Sequence, residues 1–155
     1  MKLDLKELAD FLKLANKSTY ADASAERAQV SRLDSKDYHY EHNDWAFHDT
    51  YFGARDFIGA EVVYKRGCAA WGMNYYGVIL DAEFTADAVY GFLRTALLQA
   101  DDETLPVRGP KKYIFKQWEY RLSLTGDLAN FFGQEEILYD GIVVYRCMLH
   151  GGLVC

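Results

Sequence analysis

EEILYDGIVVYRCMLH, residues 135–150, is the stretch whose reading decides the fold. Two runs rich in branched and aromatic side chains, Glu135–Tyr139 and Ile142–His150, flank Asp140-Gly141. Asp-Gly tolerates the positive φ of a tight hairpin turn, so two antiparallel strands joined by two residues are predicted. That register sets Glu135 opposite Arg146, a favourable cross-strand charge pair.

Working upstream, the same grammar recurs. Trp118, Tyr120, Leu122 and Leu124 alternate with Glu119, Arg121 and Ser123, the pattern of a sheet wet on one side, and Thr125-Gly126 reads as a turn. Ile58–Tyr64 and Ala69–Ile79 flank Lys65-Arg66-Gly67-Cys68, a second hairpin turn. Trp45, Phe47, Asp49 and Tyr51 share one face of a further strand, opposite Ala46, His48 and Thr50. Two segments carry the helical period instead. Leu5, Leu8, Phe11, Leu12 and Ala15 form a short stripe with Asp4 and Glu7 in capping-box relation. Phe84–Asp101 is the clearer helix, with Thr85 as N-cap and Val89, Phe92, Leu93, Ala96, Leu97 and Ala100 on one face. The expected fold is a single α+β domain over residues 1–155. Its mostly antiparallel, curved sheet has about six to eight strands, with an N-terminal helix and one long central helix packed on it. No internal repeat stands out. Residues 16–36 carry few large apolar groups and read either as a lid over a binding site or as a mobile loop.

Composition narrows the function classes. A formal charge of -6 and a pI near 5.2 repel nucleic acid and anionic membranes, and the largest basic cluster is Lys111-Lys112 after Arg108. Direct nucleic-acid binding is not expected. No apolar run approaches the length a membrane helix needs, and the N-terminus lacks the apolar core of a signal peptide, so a cytoplasmic protein is expected. Cys68, Cys147 and Cys155 are odd in number and irregularly spaced, which favours reduced thiols. His39 and His42 fall on opposite faces of a strand. With no C-x-x-C, nucleotide loop or H-E-x-x-H either, no metal and no cofactor is expected.

The chemistry that remains is a set of polar residues in aromatic or glycine-rich settings. Asp49 sits among Trp45, Phe47 and Tyr51, where a carboxylate must be paired or have its pKa raised; a structural hydrogen bond is the bland account. If the Arg66-Gly67 turn is tight, Glu61 lies opposite Gly72 with Asn74 diagonal to it on the same face, beside Tyr76. A solvated face or a glycine bulge would explain the same pattern. Arg108 lies in a loop stiffened by Pro106 and Pro110, suited to bidentate capture of a carboxylate or phosphate, or to anchoring the loop. His150 ends a strand before Gly151-Gly152. The preferred reading is a small-molecule-binding domain with an aromatic-lined pocket whose polar contacts are Asp49, Tyr51, Glu61, Asn74, Tyr75, Arg108 and His150. One alternative is a metal-independent hydrolase or transferase with His150 or Asp49 as base and Arg108 stabilising negative charge. The other is an interaction module that binds a protein partner or forms a homodimer through exposed aromatics.

ANKSTYA at 15–21, SKDYHYE at 35–41, DTYFG at 49–53, WGMNYYG at 71–77, RGP at 108–110, EEI at 135–137 and YRCMLHGG at 145–152 together resemble a bacterial family of unknown function. Its members occur alone or fused behind Xre-type helix-turn-helix domains. The sequence departs from that family after Tyr20, where Asp22–Glu26 replaces a glycine-rich stretch. The resemblance brings no catalytic residues; the fusion habit implies a sensory or ligand-binding module beside a DNA-binding one.

Overall fold

A computed structural model describes residues 3–154. It contains α1 (Leu5–Ser18), β1 (Lys36–His42), β2 (Trp45–Gly53), β3 (Phe57–Lys65), β4 (Cys68–Ile79), α2 (Ala86–Leu97), β5 (Lys112–Phe115), β6 (Trp118–Asp127), β7 (Asn130–Tyr139) and β8 (Ile142–Leu153). The strands form one antiparallel sheet in the order β1-β2-β3-β4-β8-β7-β6-β5. The expectation of an α+β domain with one long central helix is corrected: the protein is mostly sheet, with two short helices of 14 and 12 residues. The apolar stripe of α2 runs on to Ala100, but the helix stops at Leu97. An acidic side chain just beyond a helix C-terminus opposes the dipole, and Asp101 instead accepts from the backbone of Glu103 and Thr104 in a local turn.

The strand order reads as two copies of one unit, a helix followed by a four-stranded meander, joined along β4 and β8. The correspondence is residue by residue. Asp4 caps α1 and Thr85 caps α2. Leu8, Phe11, Leu12 and Ala15 are buried from the first, Val89, Phe92, Leu93 and Ala96 from the second. Phe11 stacks on Trp45 and Phe92 on Trp118, in each case with a tyrosine alongside, Tyr40 or Tyr113. Gly53 ends β2 and Gly126 stands one residue before the end of β6, with φ of 95° and 102°. Leu80 donates to the Val144 carbonyl, and Val154 to that of Ala70, as a twofold axis demands. That axis passes by the Tyr75–Leu149 pair. Both helices cover one face, where each fully buried large apolar side chain contributes about 1.5–3 kcal/mol.

Both long hairpins carry a bulge that a simple count from the turn does not foresee. After Lys65↔Cys68 and Tyr64↔Ala69, the register jumps to Val63↔Trp71, leaving Ala70 over. After Tyr139↔Ile142 and Leu138↔Val143, it jumps to Ile137↔Tyr145, leaving Val144 over. An extra residue flips every side chain beyond it. Glu61 therefore pairs with Met73, not Gly72, and lies on the opposite face from Asn74. Arg146 pairs with Glu136, at 2.9 Å, and Glu135 turns into the core. Thr125-Gly126 also lies within β6, the chain reversing at Leu128-Ala129.

The other face of the sheet carries no helix. Ile58, Tyr76 and Met148 are direct neighbours on it across β3, β4 and β8, each about half exposed. Cys68 is exposed and Cys147 buried, both without disulfides, while Cys155 lies outside the described residues.

Candidate functional site

Four of the seven residues singled out in the sequence meet in one cavity. Asp49, Tyr51, Tyr75 and Arg108 line a space of about 480 Å³ between the helix-bearing face of the sheet, the start of α2 and the chain that follows α1. Its aromatic walls are completed by Tyr20, Phe57 and Tyr90, and its charged groups by Arg27, Lys36, Arg94 and Asp87. Glu61 sits one layer deeper. It shares with Asp49, Arg108 and Tyr20 a crevice of about 20 Å³, room for roughly one water-sized group. Asn74 and His150 do not join them. They pair directly with each other across β4 and β8 on the uncovered face, both exposed. With the sheet between them, His150 cannot act with Asp49 or Arg108.

The floor of the cavity is set by β-sheet register. Asp49 and Glu61 are direct partners across β2 and β3, each only 4% exposed. The Asp49 carboxylate accepts a hydrogen bond from the Tyr75 hydroxyl at 2.5 Å. Burial raises its pKa to about 6, against that bond and the field of Arg108, which lower it. Glu61 is driven well above the usual carboxylate range, first by burial and then by the charge of Asp49, and its Oε2 has no hydrogen-bond partner. Tyr75 stays a donor, since burial and both carboxylates hold its phenol well above the ordinary value.

Arg108 finds its carboxylate within the protein. Its Nε and Nη2 donate to Glu135 at 3.0 and 2.7 Å, a bidentate pair, leaving Nη1 as its spare donor. Glu135 also accepts from Tyr120 and Tyr145, both at 2.9 Å, and is fully buried. The Tyr120 hydroxyl accepts in turn from the Gly109 backbone, fixing the R-G-P loop. Burial disfavours the guanidinium, but Glu135 outweighs it and keeps Arg108 charged.

The mouth is built by the segment read as a lid or mobile loop. Residues 19–35 form no regular element, yet they are tied down. Ser31 and Ser35 donate to Asp37, which His48 also engages at 2.7 Å, and the backbone of Ala28 donates to the Asp37 carbonyl. Arg94, half-buried on α2, donates to the Tyr20 carbonyl at 3.2 Å and lies 4.6 Å from the centre of its ring. Arg27 approaches the Tyr51 hydroxyl at 3.3 Å, and Lys36 donates to the Gly53 carbonyl. The sequence reading missed Tyr20, Arg27, Lys36, Phe57, Tyr90 and Arg94. The signal for Arg94 and Tyr90 was there: they flank the apolar stripe of α2, where polar edges border a covered sheet. Among the described residues no group of three or more His, Cys, Asp or Glu is placed to hold a metal ion, and no helix is long and apolar enough to cross a membrane.

With that geometry in place, the comparison with protein families is informative. The chain belongs to the DUF5680 family. This domain of unknown function matches residues 49–154, so the family span runs from Asp49 through Glu61, Tyr75, Arg108 and Glu135 to the end of β8. Tyr20, Arg27 and Lys36, which form the mouth, precede it. No curated protein and no solved structure matches the chain.

Proposed function

We propose that this DUF5680 domain binds a small organic anion with a flat apolar body, as a sensor-like module. The observation that carries the reading is the charge of the cavity. Arg27, Lys36, Arg94 and Arg108 face Asp49 and Asp87 across it, in a chain whose net charge is -6. Basic groups gathered in a concave site against the sign of the whole molecule concentrate anions there. A volume of about 480 Å³ suits a small ligand, and five aromatic side chains offer flat surfaces around it. The resemblance to domains fused behind helix-turn-helix modules would imply, by analogy, a ligand sensor beside a DNA-binding partner. A catalyst using His150 has no support in the geometry, because His150 lies across the sheet from every acid in the cavity. The apolar row Ile58–Tyr76–Met148 favours a second copy of the chain on the outer face, which sizing chromatography would register as a dimer.

A thermal-shift screen of aromatic carboxylates, phosphates and sulfonates tests the pocket. A ligand at a hundred times its Kd stabilises by about 2.7 kcal/mol, a rise in melting temperature of roughly 5–10 °C for a domain of this size. The rise should shrink in Arg94→Ala and Tyr51→Phe. Silence across the anions, or hits equally strong in both variants, would overturn the reading.

A further inference from the structure

The two copies of the unit differ most sharply at one pair of equivalent positions. Glu135 and Glu61 stand at the same place in β7 and β3, both buried. Glu135 is met by Arg108, Tyr120 and Tyr145. The counterparts of those tyrosines in the first copy are Phe47 and Trp71. Phe47 has no donor, and the Trp71 indole donates to the Leu128 carbonyl. Glu61 thus keeps an orphaned Oε2 and gains another acid, Asp49, as its direct cross-strand partner. Arg108, which shares the crevice with both, already has its charge matched by Glu135. Two carboxyl groups in that setting cannot both ionise without a large desolvation and repulsion cost, so Glu61, the deeper of the two, keeps its proton. Asp49 is the member that reaches the large cavity.

We propose that an anionic ligand and a proton enter this site together: with Glu61 already protonated, Asp49 takes up a second proton that the bound anion shares, so the pocket selects small aromatic acids and grips them harder as the pH falls. This rests on the anion-binding reading above. The titratable groups facing Asp49 come from every side. Glu61 on β3, Tyr75 on β4 and Tyr38 on β1 surround it within the sheet, with Tyr51 next along its own face. Arg108, Tyr20 and Arg94 face it from the loops and from α2, and Asp87 and Arg27 lie across the cavity. His48, on the same strand, is engaged by Asp37. The sign is set by the anion. A negative charge beside Asp49 favours its protonated form, so binding takes up a proton wherever free Asp49 is ionised, and affinity declines with rising pH above that point.

Titration calorimetry with phenylacetate and benzenesulfonate, in buffers of differing ionisation heat, reads the linkage directly. Neither probe titrates above about pH 5, so any proton taken up belongs to the protein. The expected result is uptake approaching one proton per anion near pH 7, with affinity falling about tenfold per unit between about pH 6 and pH 8. Asp49→Asn keeps an acceptor for Tyr75 and should abolish the uptake and flatten the pH profile. Glu61→Gln, whose neutral amide stands in for a carboxyl already protonated when Asp49 titrates, should keep the uptake and so assign it to Asp49; loss of the uptake in Glu61→Gln would overturn that assignment. Anions that bind without proton uptake would overturn the coupling and leave the pocket standing. Failure of both probes to bind at tens of millimolar near pH 6 would overturn both readings. A carboxyl ¹³C titration of the free protein in which Asp49 and Glu61 both ionise at ordinary carboxylate values would overturn the coupling alone.

Discussion

Glu61 and Glu135 are the same residue type at equivalent places, and their surroundings make them opposites. Glu135 is embedded in donors, so removing its charge strands Arg108 in the core. Glu135→Gln should cost about 3–5 kcal/mol, as breaking a buried ion pair does. Glu61 has nothing to lose of that kind. Glu61→Gln removes a carboxyl that ionises only at a cost, and should stabilise by about 1 kcal/mol at neutral pH, a rise in melting temperature of about 2–4 °C. The pH dependence separates this from a generic surface effect. Asp49 and Glu61 both have folded pKa values raised above the unfolded ones, so the native state binds more protons than the unfolded chain in between. Their contribution is fullest below about pH 4 and declines as the pH rises through about 6 and beyond. Melting curves across that window should slope down less in Glu61→Gln than in the parent. Equal slopes would mean that Glu61 is already paired.

At the scale of the element, turns were legible in the sequence and bulges were not. Arg66-Gly67 and Asp140-Gly141 announced their hairpins through residues that accept positive φ, and all four adopt it. Thr85 was legible as a helix cap because its hydroxyl can take a backbone N–H, as it does from Ala88. A bulge has no comparable signature, and counting outward from each turn put Glu61 and Glu135 one register step out. Yet EVVYKRGCAAW at 61–71 and EEILYDGIVVY at 135–145 place Glu, Gly and a large aromatic at matching positions. That likeness across copies was the available sign that both hairpins bend the same way. Glycines on β3 and β7 show what the register then demands. A Cβ on Gly59 would fall 2.4 Å from the Tyr75 hydroxyl and 2.7 Å from the Thr50 carbonyl. The carbonyl cannot retreat without parting β2 from β3, so Tyr75 must swing off Asp49. Gly59→Ala should therefore cost about 1–3 kcal/mol in melting experiments and weaken anion binding as well. A variant that loses stability while binding phenylacetate as before would show that the Tyr75–Asp49 bond is dispensable.

The whole molecule is a near-twofold object whose halves have been put to different uses. One copy carries Arg108 and two tyrosine donors into a closed network around Glu135. The other leaves Glu61 partly unpaired behind Asp49, which reaches a cavity whose mouth is built by residues 19–36. Composition could not show this, because the net charge of -6 hides a basic cavity, and a helical stripe or a strand pattern says nothing of which acid is buried unpaired. The equivalence makes a reciprocal pair of substitutions informative. Tyr120 and Phe47 stand at the same point of β6 and β2, differing by the hydroxyl that reaches Glu135 at 2.9 Å. Tyr120→Phe removes a hydrogen bond to a charged group and the acceptor of the Gly109 backbone, at a cost of about 1.5–3 kcal/mol. Phe47→Tyr places the same hydroxyl beside Glu61, where Oε2 has no partner. If the copies are equivalent in three dimensions, it should stabilise by about 1 kcal/mol and lower the pH at which the Asp49–Glu61 pair gives up its proton, since a donor favours the ionised form. Denaturant unfolding at neutral pH measures both signs. Two destabilisations of similar size would mean that the first copy has no room for the hydroxyl, and that the vacancy at Glu61 is filled by packing rather than kept for a proton.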